Sequence, residues 1–209
     1  MIILRVLVLG ATGRVGSHVV SLALQDEHSV TALVRSPNML QINDENLHIV
    51  QGNVLEKQDI ENVMANVDIV ISALNTDGAN TLTESMPLIL DAMDKEHVKR
   101  IITVGTAGIL QSRLTPAILR YQSSESKRKT TFAAEEHHKV YNFLKKSETD
   151  WTIVCPTYLP DGEYTGIYRN ERDFLPDGGV EISVADTAEF VYQQIQNKEY
   201  VKSRVGIAY

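Results

Sequence analysis

The chain has 209 residues, of which 43% are apolar, and both values fit one packed globular domain spanning residues 1–209. The 27 acidic side chains exceed the 20 basic ones, so the formal net charge is −7, which argues against nucleic acid or an anionic membrane as a partner. Cys155 is the single cysteine, so an intrachain disulfide is excluded and a reducing, cytoplasmic location is expected.

Apolar, β-rich runs alternate with helical patterns over the first three-quarters of the chain. In chain order we predict a strand at Ile2–Leu9, a helix at Arg14–Gln25, strands at Ser29–Val34 and Leu47–Gln51, a helix at Asp59–Ala65, a strand at Val67–Leu74, a helix over about 80–96, a strand at Arg100–Gly105, a helix at about Thr131–Lys146 and a strand at Trp151–Cys155. Such alternation with short connections indicates parallel strands joined by right-handed crossovers. The predicted fold class is therefore α/β, a Rossmann-type doubly wound parallel sheet.

The last quarter has a different pattern. Short strands are predicted at Tyr164–Arg169, Val180–Ser183 and Val205–Tyr209, and a helix at Ala185–Asn197. In this fold class such a region usually covers the substrate, so residues from about 157 to 209 are expected to form the substrate side of the domain.

Three glycines follow the first predicted strand with the spacing G-x-x-G-x-x-G, at Gly10, Gly13 and Gly16. A strand that turns sharply into a helix presents free N–H groups and the positive end of the helix dipole, which together bind a pyrophosphate. The first glycine permits the turn, the second admits the ligand and the third allows close packing. We therefore predict a dinucleotide site here, formed also by the intervening residues Thr12, Arg14 and Val15.

Ligands of doubly wound sheets bind beyond the carboxyl ends of the strands. The remaining predicted cofactor contacts therefore follow strands three to six: Asn53, Val54, Ala73, Leu74, Asn75, Val104, Gly105, Pro156 and Thr157. Asn53 is a candidate hydrogen-bond partner of the adenine edge, with an ordinary turn residue as the alternative.

Strand two ends in Val34-Arg35-Ser36, with no acidic residue there. An acid at this place accepts hydrogen bonds from the ribose 2′-hydroxyl of NAD, whereas an arginine accommodates the 2′-phosphate of NADP. Arg35 has the planar fork that suits phosphate, Ser36 adds a hydroxyl, and Arg14 adds a second positive charge. NADP(H) is therefore predicted, and NAD(H) is the alternative if Arg35 is only a solvated surface residue.

Several segments together resemble the atypical short-chain dehydrogenases/reductases, in the branch of NmrA-like proteins and flavin or biliverdin-IXβ reductases. They are G-A-T-G-R-V-G at 10–16, L-V-R at 33–35, Q-G-N-V at 51–54, V-D-I-V-I-S-A at 67–73, V-G-T-A-G at 104–108, D-W-T-I-V-C-P at 150–156 and I-S-V-A-D-T-A at 182–188. The resemblance implies NADP(H), a cytosolic monomer or weak homodimer, and hydride transfer to a flavin-like or quinone-like acceptor.

The chain departs from the wider family at the catalytic dyad, Y-x-x-x-K. A literal match at Tyr141–Lys145 is rejected, because Lys145 lies only six residues before Trp151, at the helix end far from the cofactor. In the family's register the dyad positions fall on Ala133 and His137, so we expect an enzyme without the dyad. Asn53 also stands where the family often has Asp, which weakens the expected adenine contact.

Three residues are candidates for the chemistry itself. Thr106 takes the usual serine position, and it either contacts the nicotinamide or the acceptor or is only a turn hydroxyl. His137 either reaches the nicotinamide ribose or donates a proton with a near-neutral pKa, unless it is a surface histidine. Tyr158 lies where the reductase relatives carry a substrate-side residue and either stacks on a flat acceptor, donates a proton or only packs.

Three functions remain open. An NADPH-dependent oxidoreductase for flavins, quinones or similar flat acceptors needs no protein nucleophile, since the cofactor carries the reactive chemistry. A non-catalytic NADP-binding redox sensor that regulates a protein partner would also explain the missing dyad. A sugar-nucleotide epimerase or dehydratase is disfavoured by the missing dyad and the short C-terminal region.

Other binding classes find little support. No apolar run reaches the roughly 20 residues of a membrane span, and Met1–Arg5 lacks the features of a secretory leader. No metal is expected, because His48, His97, His137 and His138 have no ligand spacing. The cluster Lys127–Lys129 lacks interleaved aromatics and is predicted to be a solvated loop or a cofactor lid.

Overall fold

The computed structural model describes residues 2–126 and 128–209. Met1 and Lys127, the first residue of the basic cluster, therefore lie outside the described residues. Within these ranges no helix is both long and apolar enough to cross a membrane.

The described strands form one eight-stranded sheet with the order β3-β2-β1-β4-β5-β6-β8-β7. Its elements are β1 (Arg5–Leu9), α1 (Arg14–Gln25), β2 (Ser29–Val34), β3 (Leu47–Gln51), α2 (Lys57–Met64), β4 (Ile69–Ser72), α3 (Thr81–Lys95), β5 (Arg100–Val104), α4 (Phe132–Lys146), β6 (Asp150–Pro156), β7 (Arg169–Arg172), α5 (Val184–Gln193) and β8 (Ser203–Ala208). All neighbours pair in parallel except β7 with β8. The predicted doubly wound α/β fold is confirmed.

Two apolar cores lie on the two faces of the sheet. One contains buried side chains of α2, α3 and α4, and the other contains those of α1 and α5. The central strand β4 is buried along its whole length, as parallel strands covered on both faces usually are. Cys155 in β6 is fully buried, and this burial raises the pKa of its thiol to about 12.

The C-terminal predictions need correction. The strand predicted at Tyr164–Arg169 is wrong, because β7 begins only at Arg169, and the backbone N–H groups of Thr165 and Gly166 donate to the Asp186 carboxylate instead of to a strand. The strand predicted at Val180–Ser183 is also wrong: Glu181 forms only an isolated bridge with Tyr158, and Ser183 already caps α5.

Candidate functional site

The glycine loop joins β1 to α1 in a tightly packed turn. Gly10 has a φ of +81°, which favours glycine, and a Cβ there would lie 2.6 Å from the Ala73 carbonyl oxygen. A Cβ on Gly16 would lie 2.1 Å from the Gly10 carbonyl oxygen. Both positions therefore exclude a side chain because of the protein's own backbone.

Gly13 is less tightly enclosed than Gly10 and Gly16. A Cβ there would meet only the Gly10 carbonyl oxygen, at 3.2 Å, and the Ala73 carbonyl oxygen, at 3.9 Å. Gly13 is also the N-cap of α1 and provides no side-chain hydrogen bond. The space that a side chain would fill at residue 13 therefore adjoins the uncapped helix terminus, where a ligand can approach the backbone closely.

The N-terminus of α1 differs from those of the other described helices. The first turns of α2, α3, α4 and α5 contain Asp59, Glu84, Glu135 and Asp186, respectively, whereas the first turn of α1 contains no acidic residue. Free backbone N–H groups and a helix dipole without a compensating carboxylate suit a bound anion. The residues present therefore fit the pyrophosphate of a dinucleotide.

A cleft of about 180 Å³ lies beside this terminus at the carboxyl edge of the sheet. The predicted cofactor residues that line it are Gly10, Thr12, Gly13, Arg35, Asn53, Val54, Ala73, Leu74 and Asn75. Asp77 and Thr81, which follow β4, also line the cleft and were not predicted. The cleft therefore joins the glycine loop to the ends of β2, β3 and β4.

Asn53 uses part of its hydrogen-bonding capacity within the protein. Its side-chain oxygen accepts from the Leu55 N–H at 3.1 Å, and its own N–H donates to Asp59 at 2.8 Å. The amide oxygen thus stabilises the turn into α2, and the adenine contact stays a prediction.

Arg35 lines the cleft, and its guanidinium donates to an Asp77 carboxylate oxygen at 3.0 Å. The side chain is 74% exposed, and that of Asp77 is 46% exposed. Ser36 occupies the N-cap position of a short 3₁₀ turn, Pro37–Met39. The arginine predicted to bind the 2′-phosphate thus contacts a carboxylate, that of Asp77, for which the sequence carries no signal.

Arg14 extends away from Arg35 toward the segment that follows β6. Its guanidinium donates to the Leu159 carbonyl oxygen and to the Asp161 carboxylate, both at 2.9 Å. It therefore connects the glycine loop to the predicted substrate side, and its predicted contact with a 2′-phosphate stays a prediction.

Val15 and Gly16 are buried in the first turn of α1. Val104 ends β5 and Gly105 follows it. Pro156 ends β6, and the hydroxyl of the next residue, Thr157, donates to the Val180 carbonyl oxygen at 3.1 Å. These residues therefore lie at the predicted edge of the sheet.

Two of the three candidates for chemistry also lie near strand ends. Thr106 follows β5, is half-buried, and accepts a long hydrogen bond of 3.4 Å from the Gly108 N–H. Tyr158 follows β6, and its side chain is exposed. Both hydroxyl-bearing side chains are thus at the carboxyl edge.

His137 requires a correction. A near-neutral pKa is predicted from the sequence, but burial lowers the pKa of His137 to about 4, against a smaller opposing effect of Glu136. The imidazole is therefore neutral at neutral pH and is not an imidazolium, and proton donation from its remaining N–H stays a prediction. A contact from His137 to a ribose stays a prediction.

Tyr141, the tyrosine of the literal Y-x-x-x-K match, contacts other side chains of the protein. The Tyr141 ring packs edge-on against Trp151, with 5.8 Å between the ring centroids, and the Arg204 guanidinium lies 4.5 Å from its centre. Trp151 is the second residue of β6, at the strand end opposite the cleft. Tyr141 therefore has a packing role near the amino edge of the sheet.

A larger cavity, of about 460 Å³, lies at the amino edge of the sheet, lined by Asp26 and by residues of the end of α5 such as Tyr192. Asp26 follows the C-terminus of α1, far from the glycine loop along the helix. We therefore do not assign the cofactor to it.

Within residues 2–126 and 128–209, no group of three or more His, Cys, Asp or Glu side chains is arranged so that it could hold a metal ion.

The fold and the cleft together define a Rossmann-type nucleotide-binding protein. Residues 10–198 match the family described as NAD(P)H-binding. The chain belongs to this NAD(P)H-binding family, and a nicotinamide cofactor follows from that membership.

The relatives agree on the fold. A structure from Bacteroides thetaiotaomicron, described as a "putative epimerase", is 29% identical, has a TM-score of 0.87 and covers 100% of this chain and 98% of its own. A Streptococcus pneumoniae structure, described as a "putative NADH-flavin reductase", is 25% identical, has a TM-score of 0.82 and covers 98% and 99% of the two chains. The uncharacterised protein YwnB of Bacillus subtilis is 22% identical over 96% of each chain. The resemblance to atypical short-chain dehydrogenases/reductases, a class of oxidoreductase, is thereby confirmed, whereas the NmrA-like branch stays a prediction.

Proposed function

We propose that this protein is an NADPH-dependent reductase that passes a hydride to a flavin, a quinone or a similar flat conjugated acceptor. The observation that carries the cofactor preference is Arg35, which lies in the cleft at the end of β2. A guanidinium at this place offers a bidentate contact to a 2′-phosphate. The neighbouring α1 terminus accommodates the pyrophosphate.

The reductase proposal requires little acid–base chemistry from the protein. A bound nicotinamide supplies the hydride, and flavins and quinones can take their proton from solvent. Thr106 and Tyr158 lie at the strand ends beyond the cleft, where they can orient an acceptor through a hydroxyl and an aromatic ring. Because the acceptor can take its proton from solvent, the lowered pKa of His137 leaves this reaction unaffected.

The name of the Streptococcus pneumoniae relative supports a flavin acceptor, although that name specifies NADH. The test is to follow oxidation of NADPH and NADH with FMN, riboflavin or a simple naphthoquinone as acceptor. We expect turnover with at least one acceptor and a lower KM for NADPH. Absence of turnover with every acceptor, or a preference for NADH, would contradict the proposal.

An Arg35→Ala variant tests the cofactor assignment separately. The KM for NADPH should rise about tenfold, because a charge-assisted contact to the phosphate is lost, while the KM for NADH should change little. An equal loss for both cofactors would mean that Arg35 does not recognise the 2′-phosphate.

The redox-sensor alternative is supported by the missing dyad that the family resemblance implies. The dyad positions of the wider family fall on Ala133 and on His137, which is neutral at neutral pH. Calorimetric titration with NADP⁺ and NADPH distinguishes the two functions. Equal affinities, no turnover and a protein partner recovered by pull-down would favour the sensor.

A further inference from the structure

We propose that Asp77 lowers the protein's preference for NADPH by competing with the adenosine 2′-phosphate for Arg35. This inference rests on the proposed function, since it assumes that Arg35 is the group that would meet that phosphate. It assigns a specificity-determining role to a residue of the loop between β4 and α3.

The ion pair spans the cleft at the end where the proposed function places the adenosine. Arg35 follows β2 and Asp77 follows β4, and these two strands flank β1 in the sheet. The 3.0 Å contact between the guanidinium and the carboxylate therefore passes over the strand that leads into the glycine loop. Both residues line the same cleft.

The loop backbone holds Asp77 in this position. Asp77 has a φ of +51° and Gly78 a φ of +71°, so two successive residues take the left-handed conformation. The neighbouring Thr76 is buried, its N–H bonds the Asn75 side chain at 2.8 Å, and its carbonyl oxygen accepts from the Ala79 N–H at 2.8 Å. The turn that places Asp77 beside Arg35 is therefore held by hydrogen bonds of its neighbour Thr76.

The two cofactors differ in what they require of this pair. An adenosine 2′-phosphate needs the guanidinium fork, so it must displace the Asp77 carboxylate and remain near a like charge. A cofactor with a free 2′-hydroxyl can bind with the pair intact. Asp77 therefore opposes binding of NADPH more than binding of NADH.

The pair is exposed on both sides, so its energy is modest and a phosphate can displace it. We expect Asp77→Asn to strengthen binding of a 2′-phosphorylated nucleotide about fivefold. Asparagine tolerates the left-handed conformation of residue 77, so the turn should be retained.

The experiment measures equilibrium binding of adenosine 2′,5′-bisphosphate and of adenosine 5′-monophosphate by calorimetry. The native protein, Asp77→Asn, Arg35→Ala and the double variant are compared. Glu84→Gln is the control, because it removes one negative charge from an exposed residue in the first turn of the adjacent α3. Asp77→Asn should improve only the bisphosphate, the control should change neither ligand, and the gain should shrink when Arg35 is absent.

The outcomes separate this inference from the proposed function. Native protein that prefers the bisphosphate but does not respond to Asp77→Asn would overturn the inference alone. Native protein without a preference that gains one on Asp77→Asn would support the inference and contradict the NADPH preference. Weaker binding of the monophosphate by Asp77→Asn would show that Asp77 instead accepts a hydrogen bond from the 2′-hydroxyl, which overturns the inference. Binding of neither nucleotide by any of the proteins would contradict both.

Discussion

The three glycines of the loop belong to one motif, but the physical requirement that favours glycine differs between the positions. A Cβ at Gly16 would lie 2.1 Å from the Gly10 carbonyl oxygen, whereas a Cβ at Gly13 would lie 3.2 Å from the same oxygen, a close contact that a small shift relieves. The motif alone cannot separate a packing requirement from a ligand requirement. The distances suggest that Gly16 serves the fold and Gly13 serves the ligand.

Replacing each of these glycines with alanine tests that division. Gly16→Ala should lower the free energy of unfolding by about 1–3 kcal/mol, since backbone must move to accept the methyl group. Gly13→Ala should lower stability less than Gly16→Ala, because the 3.2 Å contact requires a smaller shift, and it should weaken NADPH binding at least about tenfold. Denaturant titration and fluorescence titration measure the two effects. Equal loss of stability in both variants would contradict the division.

His137 should make stability depend on mild acid. Its pKa of about 4 in the folded protein lies below the roughly 6.5 expected for the unfolded chain. Between these values the unfolded state binds more protons, so stability falls as the pH decreases through this window. His137→Gln should reduce that fall by about 1–3 kcal/mol.

Chemical denaturation of the His137→Gln variant at several pH values measures the slope. The exposed His48 on β3 offers the matched control, His48→Gln. An unchanged slope in His137→Gln would contradict the low pKa.

At the scale of elements, Asp186 at the start of α5 connects segments of the C-terminal region, which is predicted to cover the substrate. The fully buried Asp186 accepts hydrogen bonds from the Thr165 N–H and hydroxyl at 2.9 and 2.8 Å, from the Gly166 N–H at 2.9 Å, from the Tyr209 hydroxyl at 2.6 Å and from the Ser183 hydroxyl at 3.2 Å. Burial alone would raise the pKa of this carboxyl, but the hydrogen bonds outweigh it and lower the pKa. One carboxylate thus joins three separate segments.

An Asp186→Asn variant should lose about 3 kcal/mol of stability, because several buried donors lose their charged acceptor. Tyr209→Phe removes one donor and should cost about 1.5 kcal/mol. Hydrogen exchange should show reduced protection of the N–H groups of Thr165 and Gly166 in Asp186→Asn. Unchanged exchange there would contradict the assigned role.

The pH dependence of this site has the opposite origin to that of His137. Because the pKa of Asp186 is lowered in the folded protein, its contribution is present above the pKa of the unfolded chain. The contribution is lost as the pH falls through the folded value. Asp186→Asn should therefore unfold with a weaker dependence on strong acid than the native protein.

The sequence predicts elements well where burial produces a continuous apolar pattern. The bounds of α1, β2 and β3 are as predicted, whereas the first strand begins at Arg5 and not at Ile2, which is exposed. β7 has the sequence R-N-E-R and no apolar periodicity. It is a strand because β8 offers backbone partners, and a single sequence carries no signal of that pairing.

In the candidate site, too, the features that depend on a local sequence pattern are the ones that can be predicted. The glycine loop and Arg35 were predictable, because each depends on a local pattern and on a strand end. Asp77 was not, because its contact with Arg35 depends on a left-handed turn and on the order of three strands. The pKa of His137 was also beyond the sequence, since its burial is set by tertiary packing.

At the scale of the whole molecule, both edges of the sheet are short. β3 and β7 have five and four residues, and β7 carries Arg169, Glu171 and Arg172. Charged side chains on a short edge strand oppose pairing with a second copy, as does a formal net charge of −7. We expect a monomer or a weak homodimer.

Sedimentation at micromolar concentration should give the mass of one chain, with self-association appearing only at higher concentration. Added salt should favour association by screening the negative charge. A stable dimer at low concentration and low salt would contradict this expectation.

The depth of Cys155 within β6 gives the protein an internal reporter. Because the Cys155 thiol is buried and its pKa is raised, it reacts with alkylating reagents only when the chain opens. The fraction of protein that gains the mass of one alkyl group during a timed iodoacetamide pulse would therefore measure the fraction of molecules that opened. The same pulse could rank every variant described above, and any tightening caused by a nucleotide, without engineering a label.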